Sequence, residues 1–130
     1  MSVDIAKRQA DRIRVLQAIF DATDGTTSEV ARLAPTIQER LGLSDLDLEA
    51  ACDYLAEKGL IKPTAKIDRG PVYIAAQLTG RGLDEIEAAL SSPSKPTRYL
   101  PAAASVVLII NSTVVGSPIQ NASPYGRQKN

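Results

Sequence analysis

Few residues in this 130-residue chain are equipped for chemistry, and their spacing narrows the field further. There is no histidine and a single cysteine, Cys52. Within the chain this excludes a Ser-His-Asp or Cys-His nucleophile and a zinc site built from His and Cys. One thiol forms no internal disulfide. Cys52 falls on the inward stripe of a helical pattern and reads as a buried structural thiol. Asp84, Glu85 and Glu87 lie close together, but in the first turn of a helix they read as dipole-favoured surface charges rather than an acid/base group. Gly80-Arg81-Gly82 is too short for a phosphate-cradling loop. No catalytic constellation emerges, so the expectation is a protein that is not an enzyme, with no cofactor and no metal.

Binding is the more informative chemistry. In the helical pattern over about 45–58, Leu48, Ala51, Cys52 and Leu55 share the inward face. A 100° wheel then turns Leu46, Glu49, Ala50, Asp53, Tyr54 and Glu57 outward. Glu49, Asp53 and Glu57 stand at i, i+4 and i+8, an acidic stripe beside the apolar Leu46, Ala50 and Tyr54. An apolar strip rimmed by charge suits a protein partner. Over the whole chain fifteen Lys+Arg balance fifteen Asp+Glu, so net charge points to no particular partner.

The elements that must position these residues follow from periodicity and punctuation. Ala6, Ala10, Ile13, Leu16 and Phe20 recur at helical spacing and predict a helix over about 4–22. Asp24-Gly25-Thr26-Thr27 is a turn. Pro35 is costly inside a helix but free at its first position. Residues 29–34 therefore read as extended and 35–41 as a short helix stopped by Gly42. Ser44 caps the next helix, 45–58, and Gly59 stops it. Residues 60–66 and 72–78 read as two strands joined by the turn Asp68-Arg69-Gly70-Pro71. Thr79-Gly80-Arg81-Gly82 leads into a last helix over 83–90, with Leu83, Ile86 and Leu90 inward.

This order, α-β-α-α-β-β-α, resembles a winged helix-turn-helix domain of the bacterial transcriptional-regulator type, an α+β fold. Ile37-Gln38-Glu39-Arg40-Leu41-Gly42-Leu43-Ser44 is similar to the family's second helix and tight turn. Tyr54-Leu55-Ala56-Glu57-Lys58-Gly59-Leu60-Ile61 is similar to the end of its third helix, and Leu78-Thr79-Gly80-Arg81-Gly82-Leu83 to the exit from its wing. The resemblance implies that the helix over 45–58 would enter a DNA major groove. There the chain departs from the pattern, because that segment carries five carboxylates against Lys58 alone. DNA affinity comes largely from cations that neutralise phosphates. The candidate DNA contacts are therefore elsewhere: Arg12 and Arg14 on the first helix, Arg40, and Lys62, Lys66 and Arg69 on or near the wing.

Composition changes near Ser91. Every acidic residue lies before it, and residues 91–130 carry only Lys95, Arg98, Arg127 and Lys129 as charges. The chain thus divides into a domain at 1–90, a Pro/Ser-rich linker at 91–101 expected to be extended, a β-strand tail at 102–123 and a disordered end at 124–130. Val106-Val107-Leu108-Ile109-Ile110 is too apolar to stand alone as a strand in water. It must pack on the domain, pair across a hairpin at Asn111-Ser112, or pair with another chain. Val106, Leu108, Ile110, Val114, Ile119 and Gln120 are the candidate self-association residues. Val115 to Ala122 resembles bacterial protein tails that carry a Gly-Ser-x-Ile-Gln-type motif. The same segment, Val115 to Ala122, is also similar to the Val-x-Gly-x-x-Ile-Gln core of homotypic amyloid-like signalling motifs, although Pro118 works against in-register stacking.

The first residues lack the apolar stretch of a signal peptide, and the apolar run at 102–110 is far short of a helical span. The expectation is a cytoplasmic, non-membrane adaptor that binds a protein partner and forms a homo-oligomer through its tail. The alternative is a dimeric regulator that binds duplex DNA through the wing.

Overall fold

A computed structural model describes residues 4–67 and 73–106 of the chain. The fold is α+β. Helix α1 spans Ile5–Ala22, with the Asp4 side chain capping it by accepting from the Lys7 N–H. Strand β1 is the pair Glu29–Val30. A π-helical turn over Leu33–Ile37 leads into α2, Gln38–Leu41. Ala34 keeps an extended backbone (φ −119°, ψ 136°) before Pro35, as the residue preceding a proline should. Helix α3 spans Asp45–Glu57, strands β2 and β3 span Ile61–Lys66 and Tyr73–Leu78, and α4 spans Gly80–Ser91.

Local chemistry sets most of these boundaries. Gly42 ends α2 with φ +68° and Gly59 follows α3 with φ +74°, a region that costs residues with a Cβ strain energy. Ser44 caps α3 by accepting from the Asp47 N–H. The sheet is antiparallel in the order β1-β3-β2. Val30 is opposite Ala76 and Ile61 opposite Leu78. Pro63 lies on β2, an edge strand, the position in a sheet where proline is tolerated.

Helix α4 begins at Gly80, three residues before its expected start. The Thr79 hydroxyl accepts from the Gly82 N–H at 3.0 Å and donates to the Gly59 carbonyl at 2.5 Å, so this turn is a capped helix start rather than a lead-in. Gly82 is also where α4 presses on the chain leaving α3. A Cβ there would lie 1.9 Å from the Leu60 carbonyl oxygen.

One core holds the domain together. Ile13, Leu16 and Ile19 of α1 are buried with Leu48, Cys52 and Leu55 of α3, Leu60, Leu78 of β3 and Ile86 of α4. Burying side chains of this size contributes about 1.5–3 kcal/mol each. A charged cluster ties α1 to the start of α3. Asp11, 1 % exposed, receives Lys7 Nζ at 2.9 Å and has Arg14 Nη1 at 3.6 Å. Lys7 and Arg8 also reach the Asp47 carboxylate, each at 3.2 Å.

The segment after α4 corrects two expectations. Residues 96–101 do not run out as an extended linker. They fold back on the domain: Leu100 is buried and Val106 joins the same core. Glu85 Oε2 anchors this return by accepting from the Tyr99 N–H at 2.8 Å and from the Thr97 hydroxyl. Residues 103–106 form a helical turn, not the first part of a strand. Ala104 N–H donates to the Pro93 carbonyl and Ser105 N–H to the Ala102 carbonyl. Intrachain burial of Leu100 and Val106 outweighs the β preference of the valine-rich run at its start. The expected strand and self-association positions from Leu108 to Gln120, and the end at 124–130, lie outside the described residues.

Candidate interaction face and the tyrosine-arginine cleft

The outward face of α3 separates residues that the sequence grouped together. Leu46 is 63 % exposed, and Asp53 and Glu57 are exposed while Glu49 and Ala50 are half-buried. The periodicity that buries Leu48, Ala51, Cys52 and Leu55 leaves these residues outside. The five carboxylates of the helix have different neighbours. Asp45 Oδ1 accepts from Gln38 Nε2 at 2.7 Å, which satisfies the buried Gln38 side chain. Asp47 belongs to the Lys7–Arg8 cluster. Asp53 accepts from the Tyr73 hydroxyl. Glu49 and Glu57 have no hydrogen-bond or ion-pair partner among the described residues. The acidic stripe is thus continuous in sequence, but only Glu49 and Glu57 present fully uncommitted charge.

Tyr54 departs from its expected outward, partner-facing role. The Arg12 guanidinium covers its ring, 3.8 Å from the centroid, and Lys58 Nζ lies 5.6 Å from it. The Tyr54 hydroxyl donates to the Tyr99 carbonyl at 3.4 Å. The wheel turns Tyr54 outward, but the side chain is half-buried because Arg12 and the returning 96–101 segment cover it. Tyr54, Arg12 and residues 96–101 line a cleft of about 310 Å³.

The basic residues expected at DNA are also redistributed. Arg12 is stacked on Tyr54. Arg14 donates to the Leu41 carbonyl at 2.7 Å and faces Asp11. Arg40 is exposed and lines, with Arg14, Gln17, Ala18, Asp21 and Leu41, a second cleft of about 250 Å³. On β2, Lys62 is exposed and Lys66 Nζ lies 5.1 Å from the Tyr73 ring. Arg69 lies outside the described residues. Of the expected self-association residues, only Val106 is described, and it is buried against its own chain.

Several groups titrate away from their ordinary ranges. Burial alone would lower Lys7, but the Asp11 and Asp47 carboxylates outweigh it and raise the ammonium. Burial alone would raise Asp47, and the bonds from Lys7 and Ser44 outweigh it and lower the carboxyl. Burial first, then the hydrogen bond to Asp53, raises the Tyr73 phenol. Burial, helped by the charge of Asp53, pushes the Cys52 thiol up to about 12. At neutral pH that thiol is protonated and unreactive, as a structural cysteine should be.

Among the described residues no group of three His, Cys, Asp or Glu could hold a metal ion, and no helix is long and apolar enough to cross a membrane. Sequence reasoning missed the cleft around Tyr54 because it is built by a return of the chain. The only local signal was Tyr99-Leu100, two large hydrophobic groups set between prolines. Compared with known proteins, the chain matches no family model, no curated protein and no solved structure.

Proposed function

We propose that the chain is a non-catalytic adaptor of winged-helix type that docks a protein partner on the exposed face of α3 and self-associates through the tail beyond residue 106. The observation that carries this reading is the character of that face. Leu46 is an exposed apolar anchor at the start of α3, and the same helix carries Glu49 one turn on and Glu57 at its end, whose charges are uncommitted among the described residues. Such a face repels a polyanion and complements a partner that offers an apolar side chain ringed by Lys or Arg. The cations of α1 do not offset it, since Lys7, Arg8 and Arg14 are bound to carboxylates and Arg12 is stacked on Tyr54. The winged-helix assignment draws support from the order of elements, the Gly42 turn between α2 and α3, and the β2–β3 hairpin that follows α3. A cytoplasmic setting belongs to the same proposal.

Light-scattering mass tests this reading. The full chain and residues 1–106 are measured with and without generic duplex DNA at low salt. The expected result is an assembly of full chains, a monomeric 1–106 species and no mass shift with DNA. Affinity capture on the full chain and on Leu46→Asp adds the partner arm: the partner is a protein held by the first and lost by the second. DNA binding that weakens as salt rises, and that Lys62→Ala and Lys66→Ala reduce, overturns the proposal in favour of a regulator acting through β2.

A further inference from the structure

We propose that the cleft between α1, α3 and residues 96–101 is a binding site for the oxyanion group, phosphate or carboxylate, of a small molecule, held by Arg12 and Arg98. The cleft of about 310 Å³ is lined by Gln9, Arg12, Tyr54 and the run from Pro96 to Pro101. It holds two guanidinium groups and no carboxylate. Among the described residues neither Arg12 nor Arg98 has an ion-pair partner, whereas Arg8 and Arg14 each face an aspartate. The second cleft of the domain differs in the same respect, because Asp21 stands there beside Arg14 and Arg40.

Each arginine lies over a tyrosine ring, Arg12 in close stacking and the exposed Arg98 at a looser distance. Arg12 lies 3.8 Å from the centroid of Tyr54, and Arg98 lies 5.2 Å from that of Tyr99. A stacked guanidinium gives its face to the ring and keeps its N–H edge free, the edge that meets an oxyanion bidentately. The two rings are themselves joined, since the Tyr54 hydroxyl donates to the Tyr99 carbonyl. The loop is fixed before any ligand arrives. Leu100 is buried, Thr97 N–H donates to the Leu100 carbonyl at 3.0 Å, and Leu100 N–H donates to the Thr97 hydroxyl at 3.1 Å. Glu85, the carboxylate that touches this loop, is occupied by Thr97 and Tyr99. A cleft far larger than one water, whose share of the liquid is about 30 Å³, is thus lined by two cations without an ion-pair partner among the described residues. A ligand that bridges them would clamp the 96–101 return to α1.

The test is an NMR titration of the full chain with inorganic phosphate and, separately, with acetate, at constant ionic strength maintained with chloride. The expected result is a saturable shift of the Arg12 and Arg98 side-chain N–H signals and of the 97–100 amides with at least one of the two probes. Which probe saturates identifies the oxyanion. Arg98→Gln, at an exposed loop position, should keep the fold and weaken binding at least tenfold. Arg12→Gln should do the same, and its amide spectrum checks that Tyr54 remains packed. Shifts that stay linear, that chloride alone reproduces, or that survive Arg98→Gln at full affinity overturn the proposal.

Discussion

The Arg12 guanidinium lies 3.8 Å from the centroid of the Tyr54 ring, so a cation of α1 covers an aromatic residue of α3 that periodicity alone would leave to solvent. This contact joins the first and third helices at their polar margin, outside the leucine and isoleucine core. A cation–π pair of this kind contributes about 0.5–1 kcal/mol when exposed and about 2 when desolvated. Arg12→Ala should therefore lower stability by about 1 kcal/mol in urea titration. Tyr54→Phe keeps the ring and should cost less, since it removes only the hydroxyl bond at 3.4 Å. A neutral Arg12→Ala would show that the stacking has no energetic consequence.

Gly82 and Gly80 make an internal control. Both lie in the first turn of α4, but a Cβ at Gly82 would meet the Leu60 carbonyl at 1.9 Å while one at Gly80 meets nothing within 4 Å. Gly82→Ala should destabilise the domain by about 1–3 kcal/mol, the range for overpacking. Gly80→Ala should be neutral or slightly stabilising, because alanine restricts the unfolded chain at no steric cost. Equal midpoints in thermal unfolding for the two variants would contradict the close approach of α4 to Leu60.

The return of the chain after α4 should be measurable as stability. A chain ending at residue 92 loses the burial of Leu100 and Val106, whereas one ending at 106 keeps it. Full burial of such side chains contributes about 1.5–3 kcal/mol each, reduced by the entropy of ordering the loop. Residues 1–92 should fold, yet unfold at lower urea than 1–106 by about 2 kcal/mol. Glu85→Gln in the longer chain should give part of this loss, because the carboxylate anchors Thr97 and Tyr99. Identical urea midpoints for the two lengths would refute a packed 91–106 segment.

The Lys7–Asp47 contact sets a pH window. Asp47 is lowered from 3.8 in the fold, so its contribution is present above that value and is lost as pH falls through the depressed folded value. Lys7 is raised from 10.5, so its contribution is present below that value and is lost as pH rises through the elevated folded value. Tyr73, raised from 10.0, adds to the alkaline loss in the same direction. Asp47→Asn should flatten the acid limb, and Tyr73→Phe part of the alkaline limb, of stability plotted against pH. Near neutrality Asp47→Asn should cost under about 1 kcal/mol, as partly exposed pairs do. An unchanged acid limb in Asp47→Asn would remove Asp47 as its source.

Local signals in the sequence determined a good deal. Ser44, Gly42 and Gly59 marked the ends of α2 and α3 because capping and left-handed turns act over three or four residues. The spacing of Leu48, Ala51, Cys52 and Leu55 determined the buried face of α3, and the lack of histidine excluded whole classes of chemistry. Tertiary structure alone decided the rest. Tyr54 and Arg12 are amphipathic side chains that suit either solvent or a packed margin. Their placement depends on Tyr99, 45 residues beyond Tyr54. The early start of α4 goes with the Thr79 hydroxyl reaching back to the Gly59 carbonyl, and the fate of Leu100 and Val106 with whether their own core had room for them. Contacts between distant segments leave no periodic trace in either segment, which is why the cleft at Arg12, Tyr54 and Arg98 became visible only in the folded chain.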